Sequence, residues 1–256
     1  MKGAASSAVA MALVVGVGAA GVGAADGAAA AESSWYLRAD LSHDWSRPAA
    51  FHDRGDCAGT DPARVPLYGC AARGAGDFGG SAGFGAGVGY RVHPLLRLDA
   101  TLTYRPGWRF AGQANFLPAD NEPMSARART LTGMANAYLD LPGLGRFEPY
   151  LGAGAGVSHN RLDGVRLHFP SLDQRVWTPS GRTTSFAWQL TAGTGVALGD
   201  GLTLDVAYRF TDFGTLRTDA GDAPRLRRGA WRTLTIDGTE ARLRAHGVSL
   251  GLRYGF

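Results

Sequence analysis

Three stretches of the sequence bring reactive side chains together: Ser158–His159 in "VSHN", His43–Asp44, and the cysteines Cys57 and Cys70. A serine nucleophile needs a base within hydrogen-bond reach, and that base needs an orienting partner. Successive residues on an extended strand point to opposite faces. Neither Ser158–His159 nor His43–Asp44 therefore makes a dyad in regular strand geometry. His52, His93, His168 and His246 have no partner of triad type. The chemistry read from these residues is not catalytic. No cofactor motif is present, and no Cys or His set completes a tetrahedral metal site. In an exported chain the isolated cysteine pair is most simply a disulfide. Its 14-residue ring would be worth about 3 kcal/mol on a chain-entropy argument; two free thiols are the alternative.

A second chemistry is electrostatic. Arg38, Asp40, Arg97, Asp99, Arg105, Asp140, Asp205, Arg209 and Arg253 share one parity within alternating segments. If that parity faces a narrow lumen, the charges must pair, because a lone buried charge costs several kcal/mol. The reading is a salt-bridged plug that holds strands in register. A narrow ion pathway along the same residues is the alternative.

The elements that would position them are strands. Helical spacing is sustained nowhere beyond Ser34, whereas period-2 alternation recurs eight times. The segments are "WYLRADLSHDW", "SAGFGAGVGYRV", "LRLDATLTYR", "RTLTGMANAYLDL", "PYLGAGAGVSH", "SFAWQLTAGTGVAL", "LTLDVAYRFTD" and "AHGVSLGLRYGF". Each has the reach of a tilted strand across a bilayer. Short spacers (around His93–Pro94, "PGLGRFE", "GDG") alternate with long ones at about 46–80, 106–126, 160–184 and 213–241. Short turns on one side and long loops on the other predict an all-β, eight-stranded antiparallel up-and-down transmembrane β-barrel. A soluble barrel alternates too, but its polar parity faces water, where the many glycines found here are a poor choice. Aromatic residues at the ends of the apolar faces suit interfacial girdles.

The remaining composition is compatible with this. Mean hydropathy is −0.10, and glycine, at 38 residues, shows no Gly-X-Y period. Lys2 is the sole lysine and the formal charge is +4, with no run of like charge to bind nucleic acid. The first residues read as a signal peptide, assigned to 1–31, with the barrel domain at 32–256; cleavage after Ala25 is the alternative to Ala31. A transmembrane anchor fits less well, since the stretch is rich in Ala and Gly and its most apolar part is far short of about 20 residues. "RLRR" at Arg225–Arg228 could meet lipopolysaccharide phosphates, or stand as a solvated patch balanced by Asp219, Asp222, Asp237 and Glu240.

"WYLRADLSHDW", "LDVAYRFTDFG" and "GVSLGLRYGF" together resemble the small eight-stranded outer-membrane barrels of Gram-negative bacteria, the opacity-like and OmpA-type group. The resemblance spans Trp35 to Phe256. It implies an integral outer-membrane protein with structural, adhesive or surface-contact roles through its loops, in contact with membrane lipid and lipopolysaccharide. It also implies that Leu250, Leu252, Tyr254 and Phe256 form the signal read by the barrel-assembly machinery. A weakly conducting porin stands second and a lipid-modifying enzyme third. A C-terminal peptidoglycan-binding domain of the OmpA kind is not expected.

Overall fold

A computed structural model of the chain describes residues 35–54, 74–115, 121–142 and 145–256. Cys57, Cys70 and residues 1–31, the expected signal peptide, lie outside the described residues. Eight long strands run β1 (Trp35–Ser46), β4 (Gly80–His93), β5 (Leu96–Ala114), β6 (Glu122–Asp140), β7 (Phe147–Phe169), β9 (Gly181–Gly199), β10 (Leu202–Arg217) and β13 (Thr239–Gly255). Each pairs antiparallel with the next in this order. β13 returns to β1 with Arg38 opposite Arg253 and Leu41 opposite Leu250. The wall is thus closed, which removes the unpaired sheet edges.

Alternation decides the two faces. Leu37, Leu41, Leu102, Leu131, Leu151, Phe186, Leu190, Val206, Val248 and Leu250 all point outward; Leu41 is 59% exposed and Phe186 68%. So extensive an apolar exterior belongs in hydrocarbon. On the inner parity, three tyrosines each lie over a cross-strand glycine: Tyr36 over Gly89, Tyr138 over Gly152, and Tyr150 over Gly193. A Cβ at any of these glycines would overlap the ring. Glycine here makes room for a crowded lumen.

The long spacers are not the loops expected of them. β5 runs on to Ala114 and β6 begins at Glu122; β7 continues to Phe169. Five short strands build onto this extension: β2 (Ala49–Asp53), β3 (Gly74–Asp77), β8 (Gln174–Trp177), β11 (Gly221–Arg227) and β12 (Ala230–Ile236). The reason lies in three β-bulges, each one residue longer than its partner strand: Pro106–Gly107 in β5, Asp163–Gly164 in β7 and Phe213–Gly214 in β10. A bulge reverses which parity faces in. Gly164 (φ 88°) and Gly214 (φ 74°) occupy the left-handed region, where a side chain is strained.

Above the bulges the interior is apolar. Phe51, Phe78 and Phe110 form an aromatic triad with centroids 4.9 to 6.0 Å apart. Trp108 meets Phe213 edge-on at 5.7 Å, and Leu162, Val165, Leu167, Leu216, Ile236 and Leu243 complete a buried cluster. The barrel has two storeys, charged within at the short-turn end and greasy within at the other.

Candidate functional site

The lower storey collects the charges that strand parity selected. Arg38 is held by two carboxylates: it donates to Asp40 at 2.6 and 2.9 Å and to Asp99 at 2.9 Å. Asp99 also accepts from Tyr36 at 3.3 Å and from Asn136 at 2.6 Å, and Asn136 accepts in turn from Gln189 at 2.6 Å. Arg97 makes a two-pronged contact with Asp140 at 2.7 and 2.8 Å. Arg105 donates to Asp44 at 2.8 Å. Arg253 lies 3.3 Å from Asp205 and donates to Glu148 at 3.2 Å. Arg209 is buried with no ion pair among the described residues.

Asp44, Glu148 and the tyrosines complete this network and were not among the charges picked out in the sequence. Asp44 and Tyr36 share the parity of Arg38 and Asp40, and Tyr138 that of Asp140, so the signal was present. The guanidinium of Arg97 stands 5.0 Å from the Tyr150 ring centre, 5.2 Å from that of Tyr138 and 5.8 Å from that of Tyr36. Tyr138 and Tyr150 themselves meet edge-on at 5.6 Å. Cation–π contacts of this kind gain strength when desolvated.

These side chains fill the space they enclose. Arg97 is 2% exposed and Arg105 1%. Above them Trp108 and Phe213 are fully buried. An eight-stranded barrel leaves an interior just wide enough for side chains, and here that volume is taken by ion pairs below and aromatic rings above.

The reactive pairs are split by strand geometry. Ser158 faces in and donates to Asn160 at 2.8 Å, while His159 faces out beside Thr184. Asp44 faces in toward Arg105, while His43 faces out against Trp45. Among the described residues no cluster of His, Cys, Asp or Glu is arranged to hold a metal ion. Leu250, Leu252, Tyr254 and Phe256 lie outward on or just past β13. "RLRR" sits at the β11–β12 hairpin, whose turn residues Arg228 and Gly229 both have positive φ.

The outer membrane protein beta-barrel domain family matches residues 10–256. An uncharacterised protein of Brucella abortus is 32% identical over 69% of this chain and 69% of its own length. A Rickettsia felis protein described as a putative adhesin is 24% identical over 66% of this chain and 71% of its own. The crystal structure of the outer membrane protein OprG from Pseudomonas aeruginosa superposes with a TM-score of 0.49 at 12% identity, covering 88% of this chain and 96% of that one. With the closed wall, the apolar exterior and the charged lumen, the family match settles the class: the chain belongs to the outer membrane protein beta-barrel domain family and is an integral protein of the outer membrane.

Proposed function

We propose that this barrel is a sealed membrane platform whose role is surface interaction through its extracellular half, and that it neither conducts nor catalyses. The observation that carries this reading is the filling of the interior in both storeys, with Arg97 and Trp108 almost wholly enclosed. A wall that is rigid and closed below favours display of the structure above it. Adhesion fits the description of the Rickettsia felis relative, and the β11–β12 hairpin offers an exposed tip around Trp231. The long lumenal ion-pair network serves to hold strand register. The 1–31 leader exports the chain, residues 32–256 form the barrel, Cys57 and Cys70 close a ring in the first outer segment, and the β13 row from Leu250 to Phe256 is what the assembly machinery reads.

The experiment is planar-bilayer recording on purified, refolded protein, paired with binding of whole cells displaying it to candidate surfaces. Absence of stable conductance together with binding that is lost when the β11–β12 hairpin is replaced by a short turn supports the reading. Reproducible channels would move the porin alternative to first place. Altered lipid A or phospholipid profiles on overexpression would do the same for the enzyme alternative.

A further inference from the structure

The outer surface just above the apolar band is unevenly charged. On the flank made by β5, β6, β7 and β9, arginines face outward in direct cross-strand register. Arg109 stands opposite Arg127, Arg129 opposite Arg161, and Arg161 opposite Arg182. Like charges directly opposed on one face of a sheet are destabilising. Asp163, 3.1 Å from Arg129 and 3.5 Å from Arg161, is the carboxylate paired with this group among the described residues. The opposite flank is balanced differently. There Arg242 and Arg244 both reach Asp212, at 2.8 and 3.0 Å, and Arg217 reaches Glu240 at 2.9 Å. A row of opposed arginines with one carboxylate calls for an anion from outside the chain.

Its height says where that anion comes from. Leu131 and His159 pair one outward step below Arg129 and Arg161, and Tyr104 pairs with Leu131. A surface hollow of about 330 Å³ spans the step, with Tyr104, Leu131 and His159 on its lower side and Arg129, Arg161 and Arg182 on its upper side. A floor of Leu131 and the rings of Tyr104 and His159 beneath a triple guanidinium rim is complementary to an amphiphile whose phosphate rides above its acyl chains. Guanidinium groups bind phosphate through paired, charge-assisted hydrogen bonds.

We propose that this hollow binds the phosphate of a phosphorylated glycolipid in the outer leaflet, with Arg129, Arg161 and Arg182 as its ligands. The proposal rests on the reading of the chain as an outer-membrane barrel and adds the lipid and its site. It moves lipid recognition away from the "RLRR" hairpin, which stands farther out, at the end of the sheet that continues from β7 through β8 to β11 and β12.

The test folds the full chain into zwitterionic phospholipid vesicles with or without diphosphoryl lipid A and follows heat-induced loss of the compact gel band. For the natural sequence, lipid A raises the midpoint. In plain vesicles the triple variant R129Q/R161Q/R182Q matches or exceeds the natural sequence, because the opposed charges are gone. With lipid A it gains little, and the half-maximal lipid concentration rises on the order of tenfold. A variant R225Q/R227Q/R228Q keeps the full response. Dephosphorylated lipid A and inorganic pyrophosphate both fail to raise the midpoint. Equal responses from the natural sequence and the triple variant, loss of response in the hairpin variant, or a pyrophosphate shift as large as that of lipid A would each overturn the assignment. A compact band that ignores lipid A sinks the lipid site alone, whereas absence of any compact band sinks the barrel reading with it.

Discussion

The guanidinium carbon of Arg105 stands 4.9 Å from the centre of the Phe213 ring. Arg105 belongs to the lumenal ion pairs and Phe213 to the apolar cluster above, so this contact is the seam between the two storeys. Arg105 also donates to Asp44 on β1, so one side chain ties β5 to β1 and faces β10.

Substituting Arg105→Gln leaves Asp44 buried without its cation. Breaking a buried pair from one side costs about 3–5 kcal/mol. The urea midpoint of the refolded protein, followed by tryptophan fluorescence, should fall accordingly. The double variant D44N/R105Q should recover part of the loss, since no lone charge remains; no recovery would mean that Asp44 is not what Arg105 balances.

Phe213→Ala removes a fully buried ring from the seam. Deletions of this size cost about 3–5 kcal/mol. The ion pairs beneath are untouched, so the variant should be less stable and still silent in bilayer recordings. Channel openings in this variant alone would place the seal in the apolar cluster and leave the charged lumen permeable.

Gly214→Ala tests the bulge in β10. The left-handed conformation costs an L-residue roughly 1–2 kcal/mol, and a Cβ there would press on Ser185 and on the Phe186 carbonyl oxygen. The thermal midpoint of the compact band should drop, by more than for Ala at Gly133, whose added Cβ would meet only the Leu102 side chain at 4.0 Å. Equal effects at the two positions would remove the special role given to the bulge.

Leu250→Arg and Ser249→Arg separate the two faces of β13. Leu250 lies outward and 53% exposed, beside Leu41 and Val206. Arginine on the lipid face near mid-membrane costs about 2–4 kcal/mol, seen as reduced folding yield into vesicles but not into detergent micelles of adaptable thickness. Ser249→Arg should instead fail in both, by overfilling the lumen. A Leu250→Arg protein that folds into bilayers as well as the natural sequence does would contradict the lipid-facing assignment.

The lower storey was legible because alternation there is unbroken. From Trp35 to Trp45, and from Val248 to Phe256, apolar parity and outward face coincide, and the charges on the other parity point to one another. The upper storey was hidden by a cancellation. In β5 the apolar residues keep even numbers throughout, from Leu102 and Tyr104 to Trp108 and Phe110, yet the Pro106–Gly107 bulge turns that parity from outside to inside. In β13, which has no such bulge, the face is kept and apolar parity changes instead, from Leu250 and Val248 to Ala245 and Leu243. Neither pattern announces an inverted interior, so these stretches read as loops. The arginine flank was missed for a related reason: Arg129, Arg161 and Arg182 are scattered in sequence and only the register aligns them.

The change of polarity along the wall has a mechanical meaning as well. One step along β6 separates Leu131, which suits hydrocarbon, from Arg129, which does not. The same boundary is drawn on β7 and β9 and is echoed by the bulges on β5, β7 and β10. A molecule marked in this way has a fixed draught, like a hull with its waterline painted on. Sinking by one residue pair would immerse guanidinium groups in oil, and rising by one would lift leucine and phenylalanine into water. The protein is therefore gripped at one depth by opposing penalties, and everything it shows to the outside is held at a set height above the cell surface.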